Sequence, residues 1–176
     1  MNQRFLTAAL ALFLMAQTHV PNDPHWHDFD FEFGPVWTAH MHRLSQRLAH
    51  SHTWVEYRGT LVAHELWGGK GNMSELDVSH GTSKIVGGAL HLYDPQAREW
   101  SVFFANAMTG ALGVPSVGRF EHGRGLFYDR EPFGGRTVLV RQEFTNISAH
   151  TFDLHQAFSA DNGKTWEENL VIDYTR

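Results

Sequence analysis

The sequence predicts an all-β protein, a single antiparallel β-barrel of roughly nine or ten strands with little helix. Short apolar stretches with period-two alternation recur about every ten residues, and turns rich in Gly, Pro, Asn and Asp separate them. After residue 28, no long stretch has the 3.6-residue period of an amphipathic helix. The strands predicted after the first cover residues 54–67, 72–78, 88–93, 100–106, 117–122, 126–129, 137–144, 151–159 and 166–175.

The first predicted strand runs over residues 28–44. In its opening stretch, DFDFEF, three phenylalanines alternate with acidic residues, which is the pattern of a half-buried strand. Gly34 and Pro35 interrupt the pattern, and residues 37–44 resume it. The C-terminal strand is expected to pair back near this first strand, because closing the barrel removes exposed strand edges.

The first 28 residues are predicted to lie outside the barrel. Residues 1–16 have the pattern of a signal peptide, with a cation at Arg4, an apolar run and the small residue Ala16 at a cleavage position. Residues 17–28 contain two prolines among polar residues and are predicted to be an extended lead-in. The barrel domain then occupies residues 29–176, in a protein that is periplasmic or secreted.

Composition and charge narrow the classes of function. Apolar residues make up 42% and aromatic residues 13% of the 176 positions, enough for the core of one domain. The net charge is −5, so electrostatics give no support for binding nucleic acid, or for binding a membrane after signal cleavage. The chain has no cysteine, so packing rather than disulfides must stabilise an exported protein. Whether it forms a homo-oligomer is left open.

Residues 159–166, SADNGKTW, resemble the Asp-box, a hairpin turn with the pattern S-x-D-x-G-x-T-W. Asp161 is expected to accept backbone N–H groups in the turn, Gly163 to take a positive φ, and Trp166 to pack where the next strand begins. A single copy does not make a propeller. The motif therefore predicts a turn rather than a catalytic aspartate.

Thirteen histidines raise the question of a metal. Three H-x-H pairs can each offer two imidazoles on one strand face, namely His25/His27, His40/His42 and His50/His52. The last pair, followed by Glu56, resembles half of the cupin metal motif, but the second half has no counterpart in the chain. Solvated or hydrogen-bonded histidines are the commoner case. We therefore predict no stoichiometric metal and no other cofactor, with a cupin-like metalloenzyme as a minor alternative.

A set of short motifs spread over the predicted barrel is characteristic of one family. Its residues are Phe29, Phe31, Gly34, Trp37, Arg43, Leu44; Trp54, Glu56, Tyr57, Gly59, Thr60; Trp67, Gly69, Gly71, Asn72; Leu92, Tyr93, Asp94, Pro95; Gly123, Arg124, Gly125, Phe127, Tyr128, Asp129; Val140, Arg141; and Ala157, Phe158, Ser159, Lys164, Thr165, Trp166, Glu167. Through them the chain beyond the leader resembles an exported bacterial domain-of-unknown-function family with a lipocalin-like (calycin) β-barrel. The resemblance implies a fold and no reaction. Lipocalin-like barrels usually open with Gly-x-Trp, whereas two residues separate Gly34 from Trp37 here, which implies a bulge at Pro35 and Val36.

For function, the sequence favours a binding module that holds a small apolar or aromatic molecule inside the barrel, since aromatic residues neighbour a few polar groups on the predicted strands. The predicted ligand-binding residues are Trp54, Trp67, Asn72, Tyr93, Trp100 and Asn169, with His40, Glu56 and Arg141 as orienting groups. A packed barrel without ligand is one alternative.

The other alternative is a cofactor-free lyase, isomerase or cyclase acting on a small hydrophobic substrate. It needs an acid and a base within hydrogen-bond reach of one substrate. His40 and Glu56 are the predicted pair, with Arg141 as a third catalytic residue. The sequence does not decide which strand faces point into the barrel, so this interpretation depends on both side chains lying inside.

Overall fold

A computed structural model of the protein describes residues 23–176. The chain forms a closed antiparallel barrel of ten strands, with one additional two-residue strand. The strands are β1 Trp37–Leu44, β2 Trp54–Leu66, β3 Gly71–His80, β4 Ser83–Asp94, β5 Glu99–Asn106, β6 Ala111–Leu112, β7 Ser116–Glu121, β8 Arg124–Phe133, β9 Arg136–Thr145, β10 Thr151–Ser159 and β11 Glu167–Thr175.

The closure of the barrel follows from two pairings. β1 lies between β2 and β11, so the last strand pairs with the first. β4 pairs with β5, which joins the two ends of the sheet, while β6 pairs with the end of β5 outside the ring. The predicted all-β barrel and the predicted pairing of the C-terminal strand with the first strand are both confirmed.

The predicted strand over residues 28–33 is wrong. This stretch contains one 3₁₀ helix, Asp30–Glu32, after another at Pro24–His27, and β1 begins only at Trp37. Together, residues 23–33 form a plug that closes one end of the barrel. Phe29 is buried in the middle of the core, in edge-on contact with the Trp100 ring. Of the three alternating phenylalanines only Phe29 is fully buried, and plugging rather than strand pleating places it there. Residues 24–27 are not extended as predicted.

Hydrogen bonds hold the plug in the barrel. Three side chains of the barrel donate to it: Tyr93 to Asp23 (2.8 Å), Trp100 to the His25 carbonyl (3.1 Å) and Trp37 to the Glu32 carbonyl (2.8 Å). The Arg176 guanidinium adds a bond to the Phe33 carbonyl (2.7 Å) and lies over the Trp37 ring, 3.9 Å from its centroid. The plug is thus hydrogen-bonded both to the first strand of the barrel and to the last residue of the chain.

The Asp-box turn forms as predicted between β10 and β11. The Asp161 carboxylate accepts hydrogen bonds from the backbone N–H (2.9 Å) and the hydroxyl (2.6 Å) of Thr165. These bonds lower the pKa of Asp161 to about 2. Gly163 has a φ of +89°, and Trp166 packs near Tyr128 on β8. The motif has a structural role in this chain.

The predicted signal peptide, residues 1–16, lies outside the described residues. Within residues 23–176, no helix is long and apolar enough to span a membrane.

Candidate functional site

The barrel encloses a cavity of about 450 Å³ between the plug and the opposite end, which we call the mouth. Its walls are mainly aliphatic and aromatic side chains from the inward faces of the strands. They include Met41, Leu61, Ala89, Val102, Phe144 and Ile172. The cavity is therefore a mainly apolar chamber, to which Ser74, Gln142 and Gln156 add polar wall groups, and its ionisable groups lie at the two ends.

The plug end of the cavity carries two buried ionisable groups, Glu32 and His91. Glu32 belongs to the plug, and His91 projects inward from β4; they are only 2% and 1% exposed. The Oε2 atom of Glu32 lies 3.8 Å from Nδ1 of His91, too far for a hydrogen bond. Neither atom has a hydrogen-bond partner among residues 23–176. We call this pair the floor of the cavity.

Burial determines the charge state of the floor. Removal from water raises the pKa of Glu32 to about 8 and lowers the pKa of His91 to about 3. Although the two groups are close enough to count as an ion pair, both burial costs oppose charging and the long separation offers little compensation. Tyr174, which also lines the cavity, has a raised pKa from burial and from the nearby Glu32. At neutral pH the floor is polar but uncharged.

The mouth carries two arginines. Arg43 lies on β1, and Arg47 lies in the loop that follows β1. The Arg47 guanidinium lies over the rings of Phe133 and Phe158, 4.8 and 5.0 Å from their centroids. Burial, and then the proximity of Arg43, lower the pKa of Arg47. Cation–π contacts thus hold one guanidinium in place close to another cation.

Carboxyl groups are also present near the mouth. Asp129 accepts a hydrogen bond from the Ser116 hydroxyl, which in turn accepts one from Gln142 Nε2 at 3.0 Å. Burial raises the pKa of Asp129, and this hydrogen bond partly offsets the effect. Burial raises the pKa of Glu131 as well, followed by repulsion from Asp129. In the described part of the chain, no ion pair within 4.0 Å joins either carboxyl to Arg43 or Arg47.

The structure corrects the predicted acid–base pair. His40 and Glu56 do meet, with Nε2 and Oε2 3.2 Å apart, but on the outer face of β1 and β2. Alternation along β1 explains this, because Ala39 and Met41 point into the core and His40 therefore points out. Arg141 is also on the outer face, where its guanidinium lies over the Trp166 ring. These three residues do not face the cavity.

The predicted ligand-binding residues divide into three groups. Trp54 and Trp67 are 40% and 65% exposed, so they are not walls of the cavity. Tyr93 and Trp100 are buried, but they pack against the plug and do not line the cavity. The remaining two, Asn72 and Asn169, are buried polar residues whose Oδ1 atoms have no partner within residues 23–176.

The structure also locates the histidine pairs. His50 and His52 lie in the exposed loop between β1 and β2. On the outer face of the barrel, His40, His42 and Asp173 have ligand-type atoms within 4.8 Å of one another. The third member comes from β11, which pairs with β1.

Sequence reasoning missed Glu32, His91, Arg43 and Arg47. Glu32 was assigned to the polar face of a strand that does not form. His91 could have been found from the sequence, because it is the one histidine in the apolar run Ala89–Tyr93. It alternates with Ala89 and Tyr93 and therefore lies on the same, inward face of β4. Arg43 has the parity of the buried Met41 on β1, which would have placed it inside once that face was known.

The fold and the cavity together define a class, a calycin-like β-barrel with an internal chamber. Among solved structures, the chain is similar to the S-type phycobiliprotein lyase CPES from Guillardia theta, with a TM-score of 0.57 and 10% sequence identity. The match covers 84% of this chain and 89% of that one. At this identity the likeness shows the fold alone. Neither a protein-family model nor a curated protein matches the sequence.

Proposed function

We propose that the protein binds a small, mostly apolar molecule inside the barrel, with a polar group of that molecule at the floor. The observation that carries this proposal is the cavity of about 450 Å³ whose floor presents two buried polar atoms without partners, on Glu32 and His91. Ligand pockets typically have volumes of about 300–1,000 Å³, apolar walls and a few convergent polar groups. The cavity has all three properties.

The floor supports a ligand with both a hydrogen-bond donor and an acceptor. A protonated Glu32 can donate through one oxygen, and a neutral imidazole offers one donor and one acceptor nitrogen. Leaving a buried polar group unpaired costs about 1–3 kcal/mol. A bound hydroxyl, amide or carbonyl group would remove part of that cost for Glu32 and His91. The apolar walls would supply the remaining affinity.

The rival interpretation is a barrel that has only a structural role. A barrel of this size can be filled by its own side chains, and the plug end of this one is filled in that way. The other half is not filled, and its free volume is many times that of one water molecule, whose share of the liquid is about 30 Å³. This difference between the two halves favours ligand binding.

Blocking the cavity tests the proposal. Ala89 faces the cavity from β4, whereas the next residue, Leu90, lies on the opposite face of the strand. The neutral fluorophore N-phenyl-1-naphthylamine should bind to the wild type and to the control variant Leu90→Trp with equal affinity. In Ala89→Trp, the affinity should fall at least about tenfold, because the added ring occupies the cavity. Equal binding to all three proteins, or none to the wild type, would refute the proposal.

A second candidate function is a cofactor-free lyase, isomerase or cyclase. One observation favours it: Glu32 and His91 face the same cavity with pKa values pushed in opposite directions, as in sites that pair an acid with a base. They meet the requirement that His40 and Glu56 were predicted to meet. The name of the structural neighbour, a lyase, fits this alternative as well as it fits binding.

The two functions can be separated with the natural ligand. A molecule extracted from protein purified from its own host should be returned to wild-type protein and to Glu32→Gln. If the molecule is recovered unchanged from both, the protein is a binding module. If the wild type alone converts it, the protein is an enzyme that needs the Glu32 carboxyl.

We also propose that the protein is exported and that the leader is cleaved near Ala16. The support is the sequence pattern of Arg4, the apolar run and the small residue Ala16. Mass spectrometry of the periplasmic fraction should show a chain that has lost its first 16 or so residues. Intact Met1 in that fraction would count against export by this route.

A further inference from the structure

We infer that Arg43 and Arg47 form an anion-recognition site at the mouth, so that the ligand is an apolar molecule bearing a carboxylate, sulfonate or phosphate group. This inference rests on the proposed function, because it assigns a chemical class to the molecule in the cavity. It concerns the end opposite to the floor.

The first support is the lack of partners for Arg43. It lies on the inward face of β1, two residues from the buried Met41, and lines the cavity. Arg43 makes no hydrogen bond and no ion pair with any residue between Asp23 and Arg176. By contrast, an arginine such as Arg124 on the outer surface pairs with Glu143 at 2.7 Å. A guanidinium with five donors and no acceptor beside an apolar chamber is suited to binding an anion.

The second support is that Arg47 is held next to Arg43. The rings of Phe133 and Phe158 fix the Arg47 guanidinium, and the Leu48 backbone N–H donates to Glu167 at 2.5 Å, which ties down the same loop. Repulsion by Arg43 affects the pKa of Arg47 more than attraction by Glu131 does. Both arginines line the cavity, and among residues 23–176 neither forms an ion pair within 4.0 Å. An anion between them would relieve this repulsion.

The nearby carboxyl groups do not act as the anion between Arg43 and Arg47. Asp129 accepts the Ser116 hydroxyl through Oδ2, and although its Oδ1 has no partner among residues 23–176, the carboxyl forms no ion pair with Arg43 or Arg47. Glu131 is partly buried and is not within ion-pair distance of Arg43 or Arg47. Its raised pKa makes it a weaker counter-ion than an exposed carboxylate. A ligand anion reaching the two planar guanidinium groups can be bound through paired N–H donors.

Two fluorophores with the same aromatic core test this inference. 8-Anilinonaphthalene-1-sulfonate carries an anionic group, and N-phenyl-1-naphthylamine lacks it. Arg43→Met keeps an apolar side chain of similar length and removes the charge. It should weaken binding of the sulfonate at least about tenfold, the usual size of a lost charge-assisted hydrogen bond, and change binding of the neutral probe less than about twofold.

Arg58→Met is the matched control. Arg58 lies on the outer face of β2, its side chain is 70% exposed, and its ion-pair partner among residues 23–176 is Glu56. This variant should bind both probes like the wild type. Ala89→Trp should weaken the binding of both probes, and that result would show that both occupy the cavity. Retained binding of the neutral probe by Arg43→Met also shows that the variant is folded.

Each outcome separates the two proposals. If the neutral probe binds and Arg43→Met leaves sulfonate binding unchanged, the anion site is refuted while the binding function stands. The same conclusion follows if Arg58→Met weakens sulfonate binding as much as Arg43→Met does. If neither probe binds to the wild type, the proposed function fails and the anion site fails with it.

Discussion

Replacing Glu32 with glutamine should change the way in which stability depends on pH. The carboxyl has a pKa of about 8 in the folded protein and an ordinary value of 4.5 when exposed. Between these values the folded state keeps a proton that the unfolded state has released. Unfolding free energy therefore falls as pH rises through this window. His91 acts in the opposite direction, because its pKa falls from 6.5 to about 3 on folding and stability is lost as pH decreases.

The size of the effect follows from these values. Each pH unit between the folded and unfolded pKa of one group changes stability by about 1.4 kcal/mol. From pH 4.5 to 6.5 the contributions of Glu32 and His91 cancel, so neither dominates the profile of the wild type. In Glu32→Gln only the histidine contribution remains. The stability of the variant relative to the wild type should therefore increase by about 3.5 kcal/mol between pH 5 and pH 8.

Urea unfolding at pH 5, 6.5 and 8 measures this difference, and the six tryptophans supply a fluorescence signal. Glu56→Gln is the control on the outer surface. The Glu56 pKa is lowered by the hydrogen bond from His40, so removing that carboxyl should not favour the variant as pH rises. Profiles of wild type and Glu32→Gln that stay parallel to within about 0.5 kcal/mol would show that Glu32 is not a buried neutral acid, and the argument for the floor would fail.

Two further predictions concern the surface. Protein purified without a histidine tag should contain no stoichiometric metal, because His40 Nε2 already meets the Glu56 carboxylate at 3.2 Å and His42 Nε2 is 3.8 Å from Asp173 Oδ2, whereas ligands of one zinc lie roughly 3.3 Å apart; elemental analysis showing about one metal per chain, lost in His40→Ala, would contradict this. Asp161→Ala should lower the urea midpoint and remove the loss of stability between pH 4 and pH 2, because the Thr165 hydrogen bonds hold this carboxylate ionised; an unchanged acid profile would count against that role of the turn.

The barrel could be predicted because a strand with one buried face has apolar and polar residues in alternation. The plug could not be predicted, because residues 28–33 show the same alternation without forming a strand. Phe29 is buried just before a 3₁₀ helix, and Phe31 is half-buried within it, in a segment whose backbone does not pair with any strand. The buried set also differs from the alternating pattern here, because Glu32 leaves water whereas Phe31 and Phe33 stay partly exposed. Gly34 and Pro35 were the local sign that the backbone changes course before β1.

The site was harder to predict because it depends on which face of each strand points inward. The aromatic side chain of Trp54 favoured the prediction that its face of β2 points into the barrel, and Glu56 lies on the same face. In the structure Tyr57 is buried instead, so the opposite face points inward. When the inward face of a strand is assigned one residue out of step, every residue predicted to point into the barrel points outward instead. The floor also requires contact between residues 32 and 91, which no local pattern encodes.

The plug also determines when this chain can finish folding during its synthesis. Its phenylalanines pack against residues that are synthesised much later, such as Phe120, Phe144 and Phe152. The guanidinium that bonds to its backbone belongs to residue 176. The aromatic residues that emerge first therefore cannot complete their packing until the last strands are available, and contacts between such distant residues form slowly. During this interval the nascent chain offers an aggregation-prone segment, so a chaperone that covers it would increase the yield of folded protein.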